Sequence, residues 1–228
     1  MGGNVFEWSH PFVITSLIIF GIGFPLFIWV ESRVPLPIMP LNLLIHNPRA
    51  GIILSNSVGV IIINAVLFNT PLYFQAVLLK SATTSGLRLV IPSTAASIVG
   101  TATGFLITWT RELKLYLLVG AIFLLIGTVA LAFMQTGMAE WVYMLLLVPS
   151  SMGQGFMFPT AFMSVLAVSE QKEQAVVTST LILWRSLGTV MGVASSSLVM
   201  QNALLIYLNE KVTGPDKTKV VAEYSYQK

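Results

Sequence analysis

The chain has no cysteine, only two histidines, and charge on just 9% of its 228 residues. The first absence excludes thiolate catalysis, disulfides and cysteine-bound metals, so the redox state of the compartment leaves no mark on the sequence. His10 and His46 each stand near the end of an apolar run, with no acidic or second histidine partner at ligand spacing. Neither a metal site nor a nucleophile–base pair is expected, and therefore no cofactor and no enzymatic activity. Ser150, Ser151 and Ser195 to Ser197 read as small packing residues. Lysine and arginine are scattered between apolar runs rather than gathered in a patch, which speaks against a nucleic-acid partner. Acid is scarce where it would matter most: no Asp or Glu falls inside an apolar run. Glu31, Glu112, Glu140, Glu170 and Glu173 lie at run ends or in connections, where solvated charge is the ordinary expectation. The N-terminus carries no basic region and no small-residue cleavage site, and Phe6 sits where a myristoylation signal needs a hydroxyl. The first apolar run is therefore expected to be retained.

What the chain does have is apolar residues: 55% of the total, with a mean hydropathy of +0.83. That is too much for a soluble domain of this size and implies an integral membrane protein whose first partner is the lipid bilayer. Runs of the length that crosses a hydrocarbon core as a helix occur at 12–30, 51–68, 89–109, 115–134, 141–168 and 175–207. The spacing predicts an all-α fold with six transmembrane helices. Trp8, Trp29, Trp109 and Trp141 fall at or near run ends, where an amphipathic ring prefers the headgroup layer, while Trp184 is internal.

Alternating sides collect Arg33, His46, Arg49, Arg111, Lys114 and Lys172 on one face and Lys80 and Arg88 on the other. Positive charge accumulates on the cytoplasmic side, so the first group is assigned there. Lys211, Lys217, Lys219 and Lys228 of the tail would reverse the tally but weigh less, being far from a span end. Three prolines in the linker, Pro35, Pro37 and Pro40, oppose a continuing helix. The expected organisation is a short N-terminal segment at 1–10, an isolated helix at 11–31, a Pro-rich cytoplasmic loop at 32–50, a five-helix set at 51–208, and a polar tail at 209–228.

Polar side chains at membrane depth must meet protein, water or substrate, so they mark candidate pathway helices. Arg185 has ten uncharged residues before it in its run and more than twenty after. Insertion scales put the burden of such a charge at about 2.5–3.5 kcal/mol, and no acidic partner is evident. Asn56 and Asn64 share one face of the second run, with Asn69 and Gln75 beyond its end. They are equally suited to interhelical hydrogen bonding and to lining a pathway. The fifth run is interrupted by Pro149, Gly153, Gln154, Gly155 and Pro159, a pattern that predicts kinks and freed carbonyls and points to Gln154. Ala96, Gly100 and Gly104, like Gly188, Gly192 and Ser196, recur every four residues and suit close helix packing or sliding. The fourth run is almost purely apolar and, with the first, is expected at the periphery.

Five stretches, in this order and spacing, carry a family resemblance. They are Trp8 with Glu31-Ser32-Arg33-Val34-Pro35-Leu36-Pro37; Pro71-Leu72-Tyr73-Phe74-Gln75; Ser85-Gly86-Leu87-Arg88-Leu89-Val90-Ile91-Pro92; Gly153-Gln154-Gly155 with Pro159; and Arg185-Ser186-Leu187-Gly188 with Gly192. Together they resemble the C-terminal part of the fourteen-helix drug:proton antiporter branch of the major facilitator superfamily, in the style of fungal multidrug exporters and vacuolar basic amino-acid transporters. The resemblance implies that the six spans match the family's eighth to thirteenth helices: one linker helix, then five helices of the C-terminal half. It further implies part of a proton-coupled antiporter of drugs or basic amino acids, working by alternating access in a vacuolar or plasma membrane. Arg185, Trp184, Gln154, Asn56, Asn64 and Gln75 are the candidate pathway residues. Pro149, Gly153, Gly155, Pro159, Gly100, Gly104, Gly188 and Gly192 are the candidate packing or hinge residues. The family's N-terminal half, with its embedded acidic residue, has no counterpart here and would be the missing partner. The alternative expectation is a truncated or partial product that transports nothing alone and is at most a membrane assembly partner.

Overall fold

The structure, a computed structural model, describes residues 9–34 and 48–211. Trp8, His46, most of the 1–10 and 32–50 segments and the tail beyond Lys211 lie outside the described residues. All regular structure among the described residues is helical. In chain order the helices are α1 (Pro11–Glu31), α2 (Arg49–Ala76), the short α3 (Ala82–Leu87), α4 (Val90–Thr110), α5 (Leu113–Ala132), α6 (Glu140–Ala167) and α7 (Gln174–Lys211). Five segments are long and apolar enough to cross a membrane: α1, α2, α3 with α4, α5, and α7 as far as Ala203. The remaining long helix, α6, has 28 residues, but Pro149, Ser150, Ser151 and Gln154 dilute its apolarity. It can carry them because α2, α4 and α5 pack around it, and a helix shielded by protein need not be apolar on every face.

The chain divides into two compact units, Ile38–Gly192 and Met1–Pro37 with Val193–Lys228. In the second unit, α1 exposes most of its length, including Phe20 and Trp29, but buries Glu31, which was expected to be solvated. The first unit holds α2 to α6 and the start of α7. Its helix ends are tied by charge. Arg49, opening α2, donates from Nε to the carbonyl of Val168 and pairs through Nη1 with Glu173 at 2.9 Å. At the opposite ends of the same helices, Glu140 of α6 takes Lys80 Nζ at 2.9 Å and Arg88 Nη2 at 2.7 Å. The two ion clusters place Arg49 at one end and Lys80 and Arg88 at the other, as the run alternation predicts for these three.

Without a hydrophobic drive between helices in lipid, association rests on close packing, and small residues supply it. A Cβ on Gly153 of α6 would lie 2.6 Å from the backbone nitrogen of Leu124 and 2.8 Å from the carbonyl oxygen of Gly120 on α5. One on Gly155 would lie 2.7 Å from the carbonyl oxygen of Ala96 on α4. Gly188 and Gly192 of α7 are pressed against the carbonyls of Ser57 and Ile61 on α2. Gly100 meets the Gly155 carbonyl at a looser 3.6 Å; that carbonyl would bond to residue 159 if it were not proline. Gly104 departs from expectation: nothing lies within 4 Å of its Cβ position, so it contributes no close approach. Conversely Gly120 and Gly127, seven residues and two turns apart on α5, receive Met157 and Ser150 of α6. The outer face of α5 shows Leu118, Ile122 and Leu125, as expected of a peripheral helix.

Two other differences have local causes. The helix of the second span runs on past Phe68 to Ala76, so Asn69 and Gln75 lie inside it rather than beyond its end. Asn69 Nδ2 and Thr70 Oγ1 bond back to the carbonyls of Ala65 and Val66, which lets polar residues continue the helix up to Pro71. Likewise α6 is helical through both Pro149 and Pro159. At the α5–α6 connection, Tyr143 Oη donates to the Gln135 carbonyl at 2.7 Å and accepts from Met138 N, while its ring meets Phe74 edge-on with centroids 5.8 Å apart.

Candidate functional site

The interior of the Ile38–Gly192 unit carries a polar cluster at the meeting of α2, α6 and α7. Arg185 stands twelve residues beyond Glu173, about 18 Å along a helix rising 1.5 Å per residue. Glu173 is tied to Arg49 at one end of the unit, so Arg185 stands well inside the unit, away from that charged end. Gln154 lies fourteen residues from the start of α6 and thirteen from its end, about 20 Å from either. Both residues therefore lie well away from the charged helix ends; interrupted helices and polar side chains at membrane depth mark binding sites in transporters.

Two voids meet at these residues. A deep one of about 10 Å³, room for a single water-sized group, is bordered by Asn56 and Val60 of α2, Leu124 of α5, Gln154 and Phe158 of α6, and Arg185 of α7. A wider open groove of about 470 Å³ runs past Ser97, Gly100 and Thr101 of α4 to the same Gln154, Phe158 and Arg185. Its volume lies within the range of small-molecule sites. Small residues on α4 make the space; Gln154, Phe158 and Arg185 line both voids.

The electrostatics of the cluster are one-sided. Arg185 Cζ lies 4.4 Å above the Phe158 ring centroid, a cation–π contact, and among the described residues no carboxylate is within ion-pairing reach of it. Asn56 is 2% exposed, and among the described residues its amide Nδ2 has no hydrogen-bond partner. A buried donor left unmade costs about 1–3 kcal/mol, which marks this atom as awaiting an acceptor. Among the described residues the site thus presents positive charge and two side-chain amides, one with an unused donor, and no acid.

Not every candidate joins the cluster. Asn64 bonds within its own helix to the Val60 carbonyl and across to Thr189 Oγ1 of α7 at 3.4 Å, the geometry of interhelical glue. Gln75 is exposed in the last turn of α2 and borders neither void. Trp184 turns toward the apolar cluster of Ile53, Val165, Val177 and Leu181. Arg88, in sequence a topological charge and a member of the Ser85–Pro92 motif, is 2% exposed, with its guanidinium 4.8 Å above the Phe74 ring centroid and paired to Glu140. The hydrogen bond from Lys80, then the charge of Arg88, hold the Glu140 carboxyl below its ordinary range. Only the neighbouring Ser81, which caps α3 by accepting from Thr84 N, hints in sequence that this segment is ordered.

No family model and no solved structure matches the chain. Curated proteins do. The chain is 34% identical over 210 residues to a vacuolar basic amino acid transporter of Saccharomyces cerevisiae, covering 91% of this chain and 44% of that protein. It is 32% identical over 219 residues to a vacuolar membrane amino acid uptake transporter of Schizosaccharomyces pombe, covering 93% and 37%. A multidrug resistance protein of Schizosaccharomyces pombe matches at 24% over 226 residues, covering 97% and 43%. The chain spans less than half the length of each of these relatives. Nearly the whole chain aligns with fungal transporters, MFS-type transporters among them, and it has helices long and apolar enough to cross a membrane: its homologues are transporters of the major facilitator superfamily.

Proposed function

We propose that the chain is part of a secondary active transporter that exchanges small organic molecules, basic amino acids or drugs, for protons by alternating access, in a vacuolar or plasma membrane. The observation that carries this is the polar wall between the charged helix ends: Arg185, Gln154 and the unpartnered amide of Asn56 around two voids that share Gln154, Phe158 and Arg185. Such a wall is an energetic liability in a purely structural bundle and is what a substrate pathway needs. The family kinship and the vacuolar amino-acid relatives support the substrate class. In this reading residues 51–208 furnish a five-helix transporter half and residues 11–31 a linker helix. The carboxylate that carries the proton lies outside these spans, in the N-terminal half that completes the pathway.

The test is uptake of labelled lysine, arginine and a cationic drug into vesicles carrying the full-length natural protein, under an imposed pH gradient. Flux that follows the gradient and collapses with a protonophore is the expected result; flux indifferent to the gradient removes proton coupling. A second reading is favoured by the open side of the groove and by the partial coverage of the relatives. In it the 228 residues alone carry nothing and serve at most as an assembly partner. Gradient-driven flux by vesicles holding only this chain refutes it.

A further inference from the structure

The polar wall discriminates between the two substrate classes that the relatives suggest. Its groups are Arg185, always cationic, the Asn56 amide with an unused N–H, and Gln154, which can donate from its own amide. Among the described residues, no acidic residue borders either void. A cation entering this groove meets a like charge in a medium that screens poorly, and finds no counter-charge on these helices. An anionic oxygen meets the reverse: a guanidinium that binds carboxylates by matched N–H donors, and a buried amide whose desolvation is already spent. The deep void of about 10 Å³ has room for a single oxygen, and the groove of about 470 Å³ beside it has room for the body of a small molecule.

We infer that the Arg185–Gln154–Asn56 wall is a carboxylate-recognition subsite: one carboxylate oxygen of the substrate enters the deep void beside Asn56 while the guanidinium of Arg185 turns from the Phe158 face to take the other. The substrates are then amino acids or other small organic acids, not purely cationic drugs. This rests on the transporter reading and narrows it. Any positive group on the substrate is met by residues outside this wall, and the carboxylate is the part these helices select.

The experiment separates the two claims. In vesicles carrying the full-length natural protein, uptake of labelled lysine, arginine and histidine is measured, then competed by cadaverine, agmatine and histamine, which are the same molecules without the carboxylate. The expected result is that each amine competes at least about tenfold more weakly than its parent amino acid, a gap of about 1.4 kcal/mol. Arg185→Gln should raise KM for the amino acids about tenfold or more and erase the discrimination, with Arg185→Lys restoring part of it. Asn56→Leu should give a smaller rise in the same direction, and it keeps the proposal testable if the Arg185 variants fail to fold. Equal competition by amine and amino acid, or equal losses for both in Arg185→Gln, overturns the carboxylate subsite. Transport of a cationic drug with no amino-acid flux overturns it while leaving the transporter reading intact, and absence of all flux removes both.

Discussion

Replacing Gly153 by alanine adds a single methyl group where α5 and α6 touch backbone to backbone. The new carbon would stand 2.6 Å from Leu124 N and 2.8 Å from Gly120 O. Comfortable non-bonded separation begins at about 3.5 Å, so the helices must part locally by roughly 0.9 Å. Neither neighbouring atom belongs to a side chain that could rotate away. The interface is also pinned on both sides, by Gly127 against Ser150 and by Gly120 against Met157, so one turn cannot yield without disturbing the next. Overpacking of this kind costs about 1–3 kcal/mol. For a chain of this length each kcal/mol moves the melting temperature by about 2–4 °C, giving a fall of about 2–12 °C. Gly104→Ala is the matched control. Its methyl meets open space, and removing a mid-helix glycine gains about 0.5–1 kcal/mol. Thermal denaturation in one detergent at one scan rate, read by size-exclusion of a fluorescent fusion, compares the pair. If Gly153→Ala melts within about 1 °C of the parent, the α5–α6 contact is not the tight one described.

Asn56→Leu removes a buried donor that has no partner, so the folded protein should be as stable as the parent or about 1 kcal/mol more stable in the same melting assay, even while uptake suffers. Glu140→Gln takes the counter-charge from Lys80 and from buried Arg88 and should lower the melting temperature at neutral pH. Because the Glu140 carboxyl titrates below its ordinary range, its stabilising contribution is complete above that range and disappears as the pH falls through the depressed value. Melting curves of parent and variant should therefore stay apart at mildly acid pH and converge only in strong acid; convergence already near pH 6 would sink this assignment. Tyr143→Phe deletes one hydroxyl that serves both Gln135 O and Met138 N, and should cost about 1–3 kcal/mol while leaving substrate affinity unchanged, as checked by melting and by KM.

The helices were legible because twenty-residue apolar runs have one structural solution in lipid, and every run became a helix. Arg185 and Gln154, which line both voids, stand out in sequence as well, since a charge or a proline-flanked amide inside such a run is conspicuous by composition alone. Pairings that join distant residues were not. Arg88 lies in a connection, and only Glu140, fifty-two positions later, and Phe74, fourteen earlier, turn it into a buried ion-paired residue. Gly120 and Gly127 escaped notice because their span lacks polar residues and their seven-residue spacing stands out less than the four-residue repeat of Gly100 and Gly104. Of that repeat, Gly104 turned out to face nothing. Spacing tells which residues share a face; it does not tell what that face meets.

How polar groups are satisfied separates the framework of the bundle from its site. Thr103, Thr160 and Thr180 are buried in α4, α6 and α7, and each hydroxyl bonds to the carbonyl four residues back at 2.6–2.8 Å. Their own helix completes such groups. The charges at the ends of the Ile38–Gly192 unit are completed across helices, by Arg49 with Glu173 and by Glu140 with Lys80 and Arg88. Between those ends, Asn56 keeps a donor with no acceptor and Arg185 keeps a charge with only an aromatic face, both against voids. Water can enter a void of that size but cannot neutralise a guanidinium, whereas a carboxylate can. Asn56 and Arg185 are the incomplete polar groups that border the voids, and the proposed carboxylate would complete both.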